Sequence, residues 1–242
     1  MNQPIGDIVG ILADNLRIRK SVMPIGARKA TGWMKGLDIP RGGACVLYTG
    51  HMYQMIPSIG AMQEQVEMVK NTFLVKTMWM GRIVNKFINT SWFMAFADAK
   101  KQRLYNQRLR NIALLLQQAK VPFGYLYEEE LYAGALVCDL GGKEAFEAHA
   151  RKVYALLKAK GVKSVITVDP HTTDMLREVY PKIIEGYDLE VKSYLEVLAE
   201  RDLTAVHKLD TSVALHDSCV YARYVHVLDE PRKLLAAAGA TV

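Results

Sequence analysis

The sequence predicts an α/β fold whose mostly parallel sheet is flanked by helices. Three observations carry that prediction: short β-type runs bounded by turn residues, helical patterns between them, and a 242-residue chain that is 50% apolar and so can bury a core. Strands that alternate with helices are joined by crossovers. Crossovers make neighbouring strands parallel and cover both faces of the sheet.

The strand candidates are Ala44–Thr49, Phe123–Tyr127, Ser164–Val168 and Ser212–Leu215. Each is a short run rich in β-branched, aromatic or other apolar residues, with turn residues nearby. The helical patterns are Asp98–Ala119, Lys143–Lys160 ahead of Gly161, and Tyr221–Ala238 ahead of Gly239. Each ends on or near a residue that stops a helix. These four strands are expected in one predominantly parallel sheet.

Lys and Arg total 31 against 25 Asp and Glu, a net charge of +6. The basic residues are spread along the chain, and no basic run is interleaved with aromatics, which argues against a nucleic-acid partner. Three cysteines, Cys45, Cys138 and Cys219, are odd in number and widely spaced. That argues against a disulfide framework and against a zinc-ribbon pair, and fits a reducing, cytoplasmic setting. The N-terminal stretch carries Asp7, Asp14 and two arginines where a signal peptide needs an uninterrupted apolar core.

Thr77–Ala97 is dense in Met, Trp, Phe and Ile, but Arg82, Lys86 and two asparagines interrupt it, so no transmembrane segment is expected. Core packing is its ordinary reading. Docking on a partner subunit or a membrane surface is the sharper one.

An internal repeat is the most informative feature. Leu47-Tyr48-Thr49-Gly50-His51-Met52-Tyr53 lies over Leu215-His216-Asp217-Ser218-Cys219-Val220-Tyr221, so position 51 corresponds to position 219. The match resumes where Leu115–Phe123 lies over Leu234–Val242, each reading as a helix end running into a strand. The first copy carries a helical insertion at about residues 71–101. The expected architecture is therefore a pair of pseudo-duplicated, Rossmann-like repeats: an N-terminal extension over 1–43, a first repeat over 44–190, and a connector with the start of a second repeat over 191–242. The second copy reads as incomplete, and the natural protein is expected to continue past Val242.

His216-Asp217-Ser218-Cys219, followed by Ala222-Arg223-Tyr224 and Asp229-Glu230-Pro231-Arg232, resembles the segment that opens a cysteine-rich CCG repeat in heterodisulfide reductases and related iron-sulfur oxidoreductases. In that family each repeat supplies a lone Cys, then Cys-Cys-Gly, then Cys-x-x-Cys about 35 residues on, and the thiolates hold an iron-sulfur cluster. The resemblance makes Cys219 the lone first ligand of the second repeat. In the first repeat it places Tyr132-Ala133-Gly134 at the Cys-Cys-Gly position and Asp169-Pro170-His171-Thr172 at the Cys-x-x-Cys position, with residues 134–168 supplying the 35-residue spacing.

Thiolates are the soft ligands such clusters take, whereas Tyr132, Ala133, Asp169 and Thr172 offer hard oxygens or nothing. A cluster is thus expected only if residues beyond Val242, or a partner, complete the set begun by Cys219. His51, Asp169 and His171, each following a strand, form an alternative candidate site for zinc or non-haem iron. The ordinary reading of polar residues there is helix capping, for which Thr172 and Thr173 are suited. Asp217 reads as a turn residue that satisfies backbone donors, and His216 as either a turn residue or a neighbour that orients Cys219.

The functional expectation is an electron-transfer subunit of a heterodisulfide reductase-like complex that partners other subunits. The alternative is a redox-inactive scaffold that kept the fold.

Overall fold

The computed structural model describes residues 5–69, 78–89 and 98–242. The described residues divide into two compact units, one from Met1–Leu37, Gly50–Arg108 and Tyr127–Leu156, the other from Asp38–Thr49, Leu109–Leu126 and Leu157–Val242.

The second unit holds the sheet. Strands β1 (Cys45–Tyr48), β2 (Ser164–Thr167) and β3 (Glu190–Ser193) run parallel in the order β1-β2-β3, with Val46, Val165 and Val191 in register. Val46, Leu47, Tyr48, Val165, Ile166 and Thr167 are all buried, the burial of a strand covered on both faces. The α/β prediction with a parallel sheet is met.

The expectation that all four strand candidates share this sheet is corrected. Phe123–Tyr127 forms no full strand: it is held to β1 through the isolated bridge between Val46 and Gly124, and to Arg41 through Tyr125. The Tyr125 N–H donates to the Pro40 carbonyl and its own carbonyl accepts from Gly42 N–H, so its backbone is spent on a loop. The run at 212–215 yields only β4 (Thr211–Ser212), which pairs in parallel with β5 (Ala240–Thr241) as a separate two-stranded sheet. Both β4 residues are exposed, so no burial draws them into the larger sheet.

In each copy a strand runs into helices and returns as a parallel neighbour. Leu47 N–H donates to the Gly124 carbonyl at 2.8 Å, and Val213 N–H donates to the Thr241 carbonyl at 2.8 Å. Relative to the sequence alignment the second pair is shifted by two residues on both strands. A shift of two preserves which face each side chain takes.

Gly124 has a strict steric reason. A Cβ there would lie 1.7 Å from the Gly42 carbonyl oxygen and 2.9 Å from that of Pro40, distances only a glycine permits.

Helices Ala99–Gln118 and Lys143–Ala159 fall within one residue of expectation. The expected Tyr221–Ala238 helix is instead two, Cys219–Arg223 and Asp229–Ala237. Between them Val225 and Val227 turn inward to pack with Tyr221, and His226 adopts a positive φ of 56°. Burying both valines requires the chain to leave the helix, since positions two apart lie on different faces. Helices Pro170–Asp174 and Tyr180–Ile183 are joined by a π-helical turn, Met175–Val179, just ahead of Pro181, which has no N–H to give the preceding turn.

In the first unit, helices Ile5–Arg19 and Met78–Phe87 pack together through polar groups. Arg82 Nε lies 3.2 Å from Asp14 Oδ2, and Asn85 Nδ2 donates to Asn15 Oδ1 at 2.8 Å. Trp79, Met80, Ile83, Val84 and Phe87 are exposed, so the core-packing reading of this stretch is corrected for its described part. Residues 77 and 90–97 of the expected helix, with Trp92, Phe93, Met94 and Phe96, lie outside the described residues.

Candidate functional site

His51 follows β1 through Thr49 and Gly50. Its φ is +57°, a left-handed backbone that a non-glycine residue adopts at a cost. The side chain is buried, and its Nε2 lies 3.8 Å from Glu130 Oε1, itself buried. Burial drives the His51 pKa down to about 4, so the imidazole is neutral at physiological pH. Both residues line a cavity of about 480 Å³ with Arg19, Lys20, Glu128, Glu129 and Lys152.

The fold thus brings position 51, aligned with Cys219, beside the segment that precedes Tyr132-Ala133-Gly134. At the first two of those positions the side chains serve packing. Tyr132 and Ala133 are fully buried, and the Tyr132 hydroxyl accepts from Leu136 N–H at 2.7 Å. His149, kept neutral by burial with a pKa near 4, donates from Nε2 to the Tyr132 carbonyl at 2.7 Å. Gly134 sits at φ +90°, where a Cβ would lie 2.9 Å from the Phe146 ring. His149 and Glu130 were not among the residues singled out in the sequence. A lone His in an amphipathic helix and one Glu of an acidic run carry no spacing signal.

Asp169 follows β2 and caps the helix Pro170–Asp174, its Oδ1 accepting from Thr172 N–H at 2.9 Å. The capping expected of polar residues at strand ends is thus met at Asp169, with Pro170 at the first helical position, while Thr172 and Thr173, read as suited to the same role, lie inside the helix. Thr173 Oγ1 turns back to donate to the Asp169 carbonyl and meets Thr167 Oγ1 at 2.7 Å. Asp169 is wholly buried, which raises its pKa to about 6 against the opposing pull of Thr172 and His171. His171 lies two residues further on, half-buried.

Cys219 begins the helix Cys219–Arg223 and is exposed, whereas Cys45 and Cys138 are half-buried. The carboxylate of Asp217 does not cap a turn, as the sequence suggested. It holds Arg232 through two contacts of 3.0 and 2.7 Å, while Arg232 also donates to the Leu228 carbonyl at 2.6 Å. That guanidinium keeps the Asp217 carboxyl below the usual carboxylate range. The first and last parts of the His-Asp-Ser-Cys to Asp-Glu-Pro-Arg motif are thereby tied together. His216, Asp217, Ser218 and Tyr221 line a cleft of about 400 Å³ together with Pro231 and Leu234. Ser193 Oγ, at the end of β3, hydrogen-bonds the buried Tyr221 hydroxyl at 3.0 Å.

Among the described residues no group of three or more His, Cys, Asp or Glu side chains is placed to hold a metal ion. Cys219 therefore offers one thiolate where an iron-sulfur cluster takes four, and the donor set of the described residues does not by itself fit such a cluster.

Comparison with known proteins gives the class of relative. The chain is similar to the "Probable iron-sulfur-binding oxidoreductase FadF" of Bacillus subtilis, 34% identical over 141 residues, covering 55% of this chain and 20% of that protein. It is 36% identical over 132 residues to the "EtfAB:quinone oxidoreductase" of Syntrophomonas wolfei, covering 53% and 18%. To the "Probable membrane-anchored ferredoxin" of Chromohalobacter salexigens it is 29% identical over 142 residues, covering 55% and 21%. The matched stretch spans about a fifth of the length of these curated relatives. No family model and no solved structure matches the chain.

Proposed function

We propose that the chain is an electron-transfer component of an iron-sulfur oxidoreductase assembly, built on the CCG-repeat frame of the heterodisulfide reductase family. Its first repeat, over 44–190, serves as a cluster-free frame behind the extension 1–43. Its second, opening within 191–242, presents Cys219 as one ligand of a cluster completed by residues beyond Val242 or by a partner.

The observation that carries this reading is the exposed Cys219 beside an Asp217–Arg232 pair that joins the two halves of the family-like motif. It is supported by the similarity to iron-sulfur-binding oxidoreductases. Among the described residues no helix is long and apolar enough to cross a membrane, and we place the site of action at the cytoplasmic side, with other subunits of the electron-transfer complex as partners.

A redox-inactive scaffold is the second reading, favoured by one observation: Tyr132 and Ala133 are fully buried in packing roles where thiols would stand. Anaerobic isolation of the protein from its native host with its bound partners, followed by iron and acid-labile sulfide analysis, separates the two. The first reading predicts an assembly that carries iron and sulfide and loses much of both in Cys219→Ser. An assembly with no iron and sulfide, or with both unchanged in Cys219→Ser, supports the scaffold.

A further inference from the structure

The helix Met78–Phe87 is amphipathic in the reverse of the usual sense. Its polar side faces protein. Arg82 reaches Asp14, and its guanidinium lies so close over Gly10 that a Cβ there would meet it at 2.4 Å. Asn85 is fully buried against Asn15, and the Asn85 carbonyl accepts from Arg19 at 2.5 Å. Its apolar side faces out: Trp79 is 55% exposed, Ile83 51% and Phe87 85%, with Met80, Val84 and the following Ile88 beside them. In water an isolated fold gains by the opposite arrangement. Polar side chains that pair inward while aromatic and aliphatic ones face outward suit a hydrocarbon surrounding.

Two features choose among the occupants such a face could take. At about 100° per residue, positions 79, 80, 83, 84, 87 and 88 spread over roughly half the helix circumference, far broader than the narrow seam that a single partner helix covers. A continuous medium fills an arc of that width. Lys86, exposed, falls at the border of this arc next to the position of Trp79, where a long basic side chain lays its stem along apolar surface and lifts its ammonium to headgroup level. The chain's net charge of +6 has the same sign.

We infer that this helix docks the protein in the plane of an anionic lipid surface, with Trp79, Ile83 and Phe87 inserted and Lys86 on the headgroups. This rests on the first unit alone and stands or falls independently of any cluster at Cys219.

The test is flotation of the 242-residue chain with vesicles of phosphatidylcholine alone and of phosphatidylcholine with about one third phosphatidylglycerol. The chain is expected to float with the anionic vesicles and less with the neutral ones, with binding weakened by salt. The double variant Trp79→Ser/Phe87→Ser should lose at least about tenfold in binding. Lys86→Glu should weaken binding to the anionic vesicles only. Since all three side chains are exposed, the variants should keep the wild-type circular dichroism spectrum and melting temperature. Failure to float with either vesicle, or flotation that ignores the double substitution, overturns the inference. So does a dimer in sedimentation velocity that the double substitution dissolves, which would make the occupant a second copy of the chain.

Discussion

His51 and His149 are buried and neutral, with pKa values lowered from 6.5 to about 4, while Asp169 is buried with its pKa raised from 3.8 to about 6. The linkage signs oppose. A histidine whose folded pKa is depressed gives stability that is present above 6.5 and lost as pH falls towards 4. A carboxyl whose folded pKa is raised gives stability that is full below 3.8 and lost as pH rises through about 6. Between pH 4 and 6 the unfolded chain thus binds about two protons more at the histidines and one fewer at Asp169. Stability should rise with pH there by about 1.4 kcal/mol per unit. Urea unfolding across pH 4.5–6 (about half-unit steps) checks this: Asp169→Asn should steepen the slope towards two protons, and His149→Phe should flatten it. Cys219 carries a second residue-scale prediction. Being exposed while Cys45 and Cys138 are half-buried, it should be alkylated well ahead of both, read out by timed labelling and peptide mass. The sequence singled out His51, Asp169 and Cys219 because each follows a strand-like run in a repeated frame. The Asp169–Thr172 cap is a local pattern, but the partners Glu130 of His51 and Arg232 of Asp217 are not legible, since they are chosen by chain reversals that leave no local pattern.

At the scale of elements, periodicity found what burial enforces. β1 and β2 are buried runs of apolar residues and were legible as such, as were the helices Ala99–Gln118 and Lys143–Ala159. β3 was not, because Glu190-Val191-Lys192-Ser193 is an edge strand with only Val191 as an apolar inward residue. Its place is fixed instead from outside. Arg177, presented by the π-helical turn, donates to the Val191 carbonyl from Nε at 3.0 Å and from NH2 at 2.8 Å, reaches the Val225 carbonyl at 3.3 Å, and pairs with Glu196. Arg177→Met should therefore cost about 2–3 kcal/mol in chemical denaturation, by removing the side-chain donor to the Val191 and Val225 carbonyls and the ion-pair partner of Glu196, which keeps the Ser193 N–H. Gly124→Ala should cost at least about 3 kcal/mol or prevent folding, because the Gly42 backbone occupies the place of the new methyl. Loss of less than about 1 kcal/mol would mean that the bridge to β1 relaxes freely.

At the scale of the whole molecule, the chain makes two parallel strand–helix–strand connections in the stretches that the sequence aligned, β1 with Gly124 and β4 with β5. The sequence could not foretell that they would lie in different sheets, since β-pairing over such separations depends on which edges burial leaves open, and β4 is exposed throughout. The function proposed above rests on one claim, that Cys219 is a cluster ligand in a frame where Tyr132 and Ala133 are packing residues. The most direct test is electron paramagnetic resonance of the reduced native assembly, compared between wild type and Cys219→Ser at equal protein and partner content. Cys219→Ser should remove or reshape a cluster signal and lower the iron content while the assembly stays intact; a spectrum and iron content unchanged by the substitution would contradict a ligand role for Cys219.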